Sequence, residues 1–176
     1  LILLGESVVA VMHGMKGQET WSPAAAAAAF LGMATAFALW WLYFDAIDAT
    51  ADRHIRSHRD ALRFHVWSYA HLPLYLGIAV TFAGVQHIVH DGAVHPLHDA
   101  DGVVIGSALA LALFALSAIG ASRSHGIAPG PLMMQASSSA LAIAVGAGAA
   151  RVPAALLVAG LFAMCALQIT IALRRP

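Results

Sequence analysis

Trp40-Trp41-Leu42-Tyr43-Phe44-Asp45 closes one long apolar run, and Trp67-Ser68-Tyr69-Ala70-His71-Leu72-Pro73 opens the next. Between them lies a polar stretch that carries Arg53, Arg56, Arg59 and Arg63. Indole and phenol rings settle at the headgroup level of a bilayer, because part of each ring system is apolar and part hydrogen-bonds water. Two aromatic edges on either side of an arginine-rich connection therefore read as one membrane surface, met twice by the chain. Arginine-rich connections stay in the cytoplasm, so this stretch also sets the orientation of every other span.

Composition points the same way. Hydrophobic residues make up 60% of the 176 and charged residues 10%. A soluble domain runs at about 45–50% apolar and about 25% charged, and this chain has too few charges to cover a soluble surface. The formal net charge is +0, with the basic residues spread over several connections. That is no footprint for nucleic acid, which is excluded as a partner. Cys165 is the only cysteine. Disulfide frameworks and four-cysteine zinc sites are therefore excluded within one chain, and Cys165 reads as a small buried hydrophobe. Leu1-Ile2-Leu3-Leu4 opens in mid-pattern, without initiator Met, basic leader or cleavage signal. It reads as a piece of a longer membrane protein whose N-terminal half is missing, rather than as a signal peptide.

The expected fold class is all-α: a polytopic transmembrane helix bundle of about six spans, the first one truncated, forming a single domain over 1–176. The spans fall near 1–15, 23–47, 66–90, 102–121, 132–150 and 154–173. Ser22 can cap the second and Pro23 can occupy its first position. Its alanine run, Ala24 to Ala29, suits close backbone approach. Residues 49–63 suit a short surface helix, Pro73 can kink the third span near its start, and Gly126 to Pro131 reads as a turn. The charges test the count. With 49–65 cytoplasmic, alternation puts Arg53, Arg56, Arg59, Arg63, Arg123, Arg174 and Arg175 on that side and Lys16 and Arg151 on the other. The stretch 91–101 is then extracytoplasmic, in a multi-pass protein of a bacterial cytoplasmic (inner) membrane. The lipid bilayer is the first partner this implies.

Leu4-Gly5-Glu6-Ser7-Val8-Val9, the Trp40–Asp45 stretch and Tyr69-Ala70-His71-Leu72-Pro73 together resemble, in order and spacing, the C-terminal half of the bacterial low temperature requirement protein A family. The resemblance is most specific over 4–90. It implies an integral membrane protein of longer full length, and Glu6, Asp45, Tyr69 and His71 match the family's polar motif positions. It supplies no activity, no cofactor and no roles for those residues.

Four residues are candidates for a polar core or for proton coupling. Glu6 lies near mid-membrane, where a carboxylate needs a partner, a proton or a polar cavity. It is expected to face the bundle interior, and it shares a helix face with His13. His71 is a proton-exchanging group that could pair with Asp45 or Glu6 and be oriented by Tyr69. Asp45 and Asp48 sit at a helix C-terminus, unfavourable for acids, so Arg53 or Arg56 should compensate them. A second cluster, His87, His90, His95, His98 and Asp91, with Asp99 and Asp101 nearby, has the imidazole and carboxylate chemistry of a zinc-type site. It matches no ligand-spacing motif, and a solvated polar loop accounts for it equally well. Lys16, the single lysine, lies in a connection, so no intrahelical Schiff base is available. No phosphate loop or nucleophile elbow occurs. The leading expectation is a transporter or permease for a small solute, coupled to protons through Glu6. The alternatives are an intramembrane metal-dependent enzyme and a structural or sensory component.

Overall fold

The computed structural model describes residues 2–16, 22–46, 57–91, 93–122 and 129–174. Among them the chain forms α1 (Ile2–Lys16), α2 (Pro23–Ala46), α3 (His58–Asp91), α4 (Asp99–Ala121), α5 (Pro129–Ala147), a 3₁₀ turn (Ala149–Arg151) and α6 (Ala154–Leu173). No sheet is present among the described residues; one isolated bridge, Pro96 to Pro153, ties the α3–α4 connection to the start of α6. Among the described residues four helices, α2, α3, α4 and α6, are long and apolar enough to cross a membrane. That is fewer than the six spans expected; α1 and α5 are not among the four.

Local chemistry sets the helix starts. The Ser22 hydroxyl accepts from the Ala25 N–H at 3.1 Å and Pro23 takes the first helical position, as the sequence implies. At α3 the Ser57 hydroxyl accepts from the Asp60 N–H at 3.2 Å and donates to the Asp60 carboxylate at 2.8 Å, which makes Ser57 the N-cap. No Gly or Pro follows until Pro73. Residues 58–65 are therefore the first turns of α3 and not a separate surface helix. At 34 residues, α3 is about 51 Å long and overshoots a hydrocarbon layer of about 30 Å. Pro73 lies inside it without ending it. α4 begins at Asp99, earlier than expected, because Asp99 and Asp101 in its first turn complement the positive end of the helix dipole. α5 likewise begins earlier, at Pro129, and takes in the end of the expected Gly126–Pro131 turn.

The helices run up and down. A Cβ on Gly14 would stand 2.7 Å from the Gln86 carbonyl oxygen, so the end of α1 lies level with the end of α3. The Ala154 and Ala155 N–H groups donate to the His95 and Ala93 carbonyls, both at 3.0 Å, which brings the start of α6 to that same end. The principal contacts are α3 on α4, α4 on α5, α1 on α3, and α2 on α6. α3 and α4 meet closely at Gly77, where a Cβ would stand 2.6 Å from the Ala108 carbonyl oxygen. The core is Leu-, Ile- and Ala-rich, with Leu109, Leu113 and Leu116 of α4 fully buried. Three buried hydroxyls return to their own helices: Ser7 to the Leu3 carbonyl at 2.9 Å, Thr35 to Leu31 and Thr81 to Gly77, both at 2.7 Å. Such bonds satisfy the hydroxyl without linking helices.

Candidate functional site

His71 joins α2 to α3. Its Nδ1 lies 2.7 Å from the Trp67 carbonyl oxygen. A carbonyl only accepts, so Nδ1 carries the proton in this bond. In neutral imidazole Nε2 is then the acceptor, and the Tyr43 hydroxyl donates to it across 3.2 Å. Rings box the imidazole edge-on: Trp67 at 4.9 Å between centroids, Tyr43 and Tyr75 at 5.9 Å each. A proton added at Nε2 would reverse the bond, so that Nε2–H donates to the Tyr43 oxygen and the phenolic hydrogen turns elsewhere.

The partner differs from the expected ones. Tyr69 is 72% exposed and stacks on His65 at 5.9 Å. Two residues along a helix turn the side chain by about 200°, so Tyr69 cannot reach the face that His71 occupies. Asp45 is exposed at the end of α2, and it is Tyr43, not Asp45, that meets His71. Asp48 and the arginines expected to compensate these acids, Arg53 and Arg56, lie outside the described residues.

Beside this pair α1, α2 and α3 border an open-sided cavity of about 800 Å³, within the size range of small-molecule sites. Its wall is mostly apolar, with Leu4, Leu39, Ile78 and Phe82 among the lining residues. Tyr43, Tyr75, Trp40 and Ser7 supply the polar groups. The Ser7 hydroxyl is engaged with Leu3. The Trp40 indole nitrogen is buried and has no hydrogen-bond partner among the described residues. A buried N–H without an acceptor costs free energy. The cavity thus combines an apolar body with a few convergent polar groups, the ordinary make-up of a ligand site.

Glu6 does not line this cavity. The buried face of α1 is Ser7, Val11 and Gly14, with Leu4 half-buried, a spacing of three and four residues. Glu6 precedes Ser7 by one position, about 100° round the helix, and its side chain is exposed. Glu6 is therefore off the face of α1 that packs on α2 and α3. His13 is exposed on the same side, as the seven-residue spacing implies. Glu6 lies about 12 Å below Gly14 by helix rise, level with the middle of the apolar part of α3.

At the opposite end of α3 the Asp91 carboxylate spans two imidazoles, His90 Nδ1 at 2.7 Å and His87 Nδ1 at 3.1 Å. These are charge pairs only when the imidazoles are protonated. His95 and His98 are exposed in the following connection. Among the described residues no group of three His, Cys, Asp or Glu side chains could hold a metal ion. The histidines meet the Asp91 carboxylate instead of converging on a common centre.

The family model for the bacterial low temperature requirement A protein (LtrA) matches residues 1–173. The chain belongs to the LtrA family. The match covers nearly the whole of this chain and is not limited to a C-terminal half of the family; it includes the Ala- and Leu-rich stretch after residue 90 where the resemblance reads as diffuse. Comparison with curated proteins and with solved structures gave no match.

Two site residues of this LtrA-family chain escape sequence reasoning. Trp40 and Tyr43 read as headgroup-level anchors, and both line the cavity. Their signal lay in spacing. Ala36, Leu39, Trp40 and Tyr43 recur at three, four and seven residues on α2, and Leu74, Tyr75, Ile78 and Phe82 do so on α3. A cavity between two such faces needs the relative rotation of the helices, which one sequence does not contain.

Proposed function

We propose that this chain forms part of a membrane carrier for a small amphiphilic molecule, which binds between α1, α2 and α3 and is coupled to protons through His71. The observation that carries the reading is the apolar, aromatic-walled cavity of about 800 Å³ with the Tyr43–His71 hydrogen bond at its side. Imidazole exchanges protons around neutral pH more readily than other side chains. Reversal of that bond on protonation changes the donor presented by Tyr43, which lines the cavity. That gives proton and ligand a shared group. The coupling carboxylate expected at Glu6 is set aside in this reading, since Glu6 points out of α1.

Proteoliposomes test it with a panel of labelled aromatic amines, aromatic amino acids and fatty acids. At least one solute should enter faster than into protein-free vesicles, with uptake that responds to an imposed pH gradient. His71→Phe should remove the pH response. Tyr43→Phe, which loses one hydrogen bond worth about 0.5–1.5 kcal/mol, should lower uptake by about three- to tenfold. No protein-dependent uptake of any class would reject the carrier reading.

The same reading takes α1 and α5 as spans too, six in all, in an inner membrane with 49–65 cytoplasmic and 91–101 outside. Its support is the placement of Arg59 and Arg63 at the start of α3 and Arg174 after α6, against Lys16 and Arg151 at the other end. Single cysteines at the exposed positions Ser57 and Val94, in a Cys165→Ser background, report on this. Impermeant maleimide added to sealed cells should label Val94→Cys and spare Ser57→Cys. The reverse pattern would invert the orientation.

A further inference from the structure

We infer that the cargo of the cavity is a singly charged organic anion with an apolar body, an aryl or medium-chain carboxylate, which binds together with one proton held on His71. The inference rests on the carrier reading above and narrows it by charge. No Asp, Glu, Lys, Arg or His is among the residues that line the cavity. Beside it stands His71, whose Nε2 meets the Tyr43 hydroxyl. Imidazole is either neutral or positive, so the one charge this site can generate near neutral pH is positive. The charged groups of the surrounding elements lie elsewhere. On α2 Asp45 is exposed two positions beyond Tyr43, about 200° round the helix. On α3 Arg63 pairs with Asp60 at 3.9 Å and His65 stacks on Tyr69. Glu6 is off the packed face of α1, and Arg174 is exposed after α6. α4 carries Asp99 and Asp101 in its first turn, at the opposite end of the bundle.

An ion that enters a mostly apolar cavity needs a counter-charge. An anion finds one in protonated His71. A cation finds none in either state of the imidazole. The rings do not replace one: Trp40 packs on Phe37 and Phe44 at 5.3 and 4.9 Å, and Tyr43 is edge-on to Phe44 and His71 at 5.2 and 5.9 Å. They are packed on one another and not set round an open centre, as a cation box requires. The hydrogen bonds point the same way. Nδ1–H donates to the Trp67 carbonyl in both states of the ring. Once Nε2–H donates to the Tyr43 oxygen, the phenolic hydrogen can donate to a carboxylate oxygen in the cavity, and such charge-assisted bonds are strong. Tyr75, whose ring also borders His71, lines the same cavity and brings a second phenol. Proton and anion together are neutral, and the total is the same when the proton sits on the carboxyl group. Neither then crosses the apolar layer as a net charge. The rest of the wall suits the apolar body. Tyr43 to Ala36 on α2 and Tyr75 to Phe82 on α3 each run about 10 Å by helix rise, room for two fused rings.

Four naphthalene derivatives test this on the purified full chain, because they share one body and differ in charge: naphthoate, naphthalenesulfonate, naphthamide and naphthylmethylammonium. Equilibrium dialysis of the labelled compounds reads binding from about pH 8 to about pH 5, the range over which imidazole charges. The sulfonate is charged throughout, so its profile reports on the protein. It should bind about tenfold tighter at the acid end. The amide should change by less than about twofold, and the ammonium should bind weakest at every pH. His71→Gln, which cannot take the charge, should flatten the sulfonate profile and keep the amide bound. If that variant loses the amide as well, the wild-type profiles decide alone. In proteoliposomes an inside-alkaline pH gradient should drive sulfonate uptake, and a potential set with potassium and valinomycin should leave it unchanged. A flat wild-type sulfonate profile, one that survives in His71→Gln, tightest binding of the ammonium or the amide at about pH 5, or uptake that follows the potential would overturn the inference and leave a carrier for another class of cargo. Binding of none of the four would reject the carrier reading with it.

Discussion

Gly106→Leu is expected to remove most of the folded protein from the membrane, and Gly146→Leu to do the same. α4 carries Gly102-Val103-Val104-Ile105-Gly106, a small-x-x-x-small face of the kind that lets membrane helices approach to backbone contact. α5 answers with Gly146. A Cβ on Gly106 would run into the Ala142 carbonyl oxygen and stand 2.9 Å from the Gly146 Cα, and one on Gly102 would run into the Gly146 carbonyl oxygen. The obstacle in each case is backbone, which cannot rotate aside as a side chain can. Overpacking typically costs about 1–3 kcal/mol, more where nothing can yield, so a leucine here should cost at least about 3 kcal/mol. Fluorescence-detected size-exclusion chromatography after a heating series would show a collapsed monodisperse peak. Gly160→Ala is the control. Its nearest neighbour is a Val145 methyl at 3.3 Å, which can shift, so the peak should survive.

Gln168→Leu is expected to stabilise the protein. Gln168 continues the buried face of α6 set by Leu157, Leu161, Met164 and Cys165, and is 1% exposed. Both atoms of its amide are buried and have no hydrogen-bond partner among the described residues. The buried hydroxyls of Ser7, Thr35 and Thr81 avoid this cost by bonding their own helices, which a terminal amide on a longer stem does less readily. An unsatisfied buried polar group costs about 1–3 kcal/mol, and leucine fills a similar volume. At about 2–4 °C per kcal/mol for a chain of this size, the melting temperature should rise by several degrees. A fall of similar size would show that the amide is held by a partner, such as an ordered water, that the leucine evicts.

The helical architecture was legible because it follows from composition and from apolar runs whose edges carry caps. Ser22 and Pro23 at α2, and the close of α6 before Arg174, are one-dimensional signals and needed no tertiary information. The start of α3 was misread because the Arg and His residues between 53 and 65 suggested a surface segment. The Ser57 N-cap, with no breaker before Pro73, carries the helix straight on. The candidate site was legible only in part. His71 stood out as an ionisable group near the start of a span, but its partner sits 28 positions away on another helix, and Tyr43 is masked by the aromatic belt around it. Glu6 stands out in the sequence as an acid within an apolar run. Its partner is not legible, because a single step on a helix, Glu6 to Ser7, separates the face that carries Glu6 from the face packed on α2 and α3.

Filling the cavity tests the central claim most directly. Ala36 lies in the cavity wall and is 4% exposed, so Ala36→Phe would put a ring into the empty space. Ala79→Phe would put the same ring on an exposed position of α3. The measurement is uptake by proteoliposomes of whichever amphiphilic solute the wild-type protein carries, at matched insertion. Ala36→Phe should lower uptake by about tenfold or more with an unchanged or raised melting temperature, since it adds apolar contact without displacing backbone, and Ala79→Phe should leave uptake as it is. Equal uptake by wild type and Ala36→Phe would contradict the account.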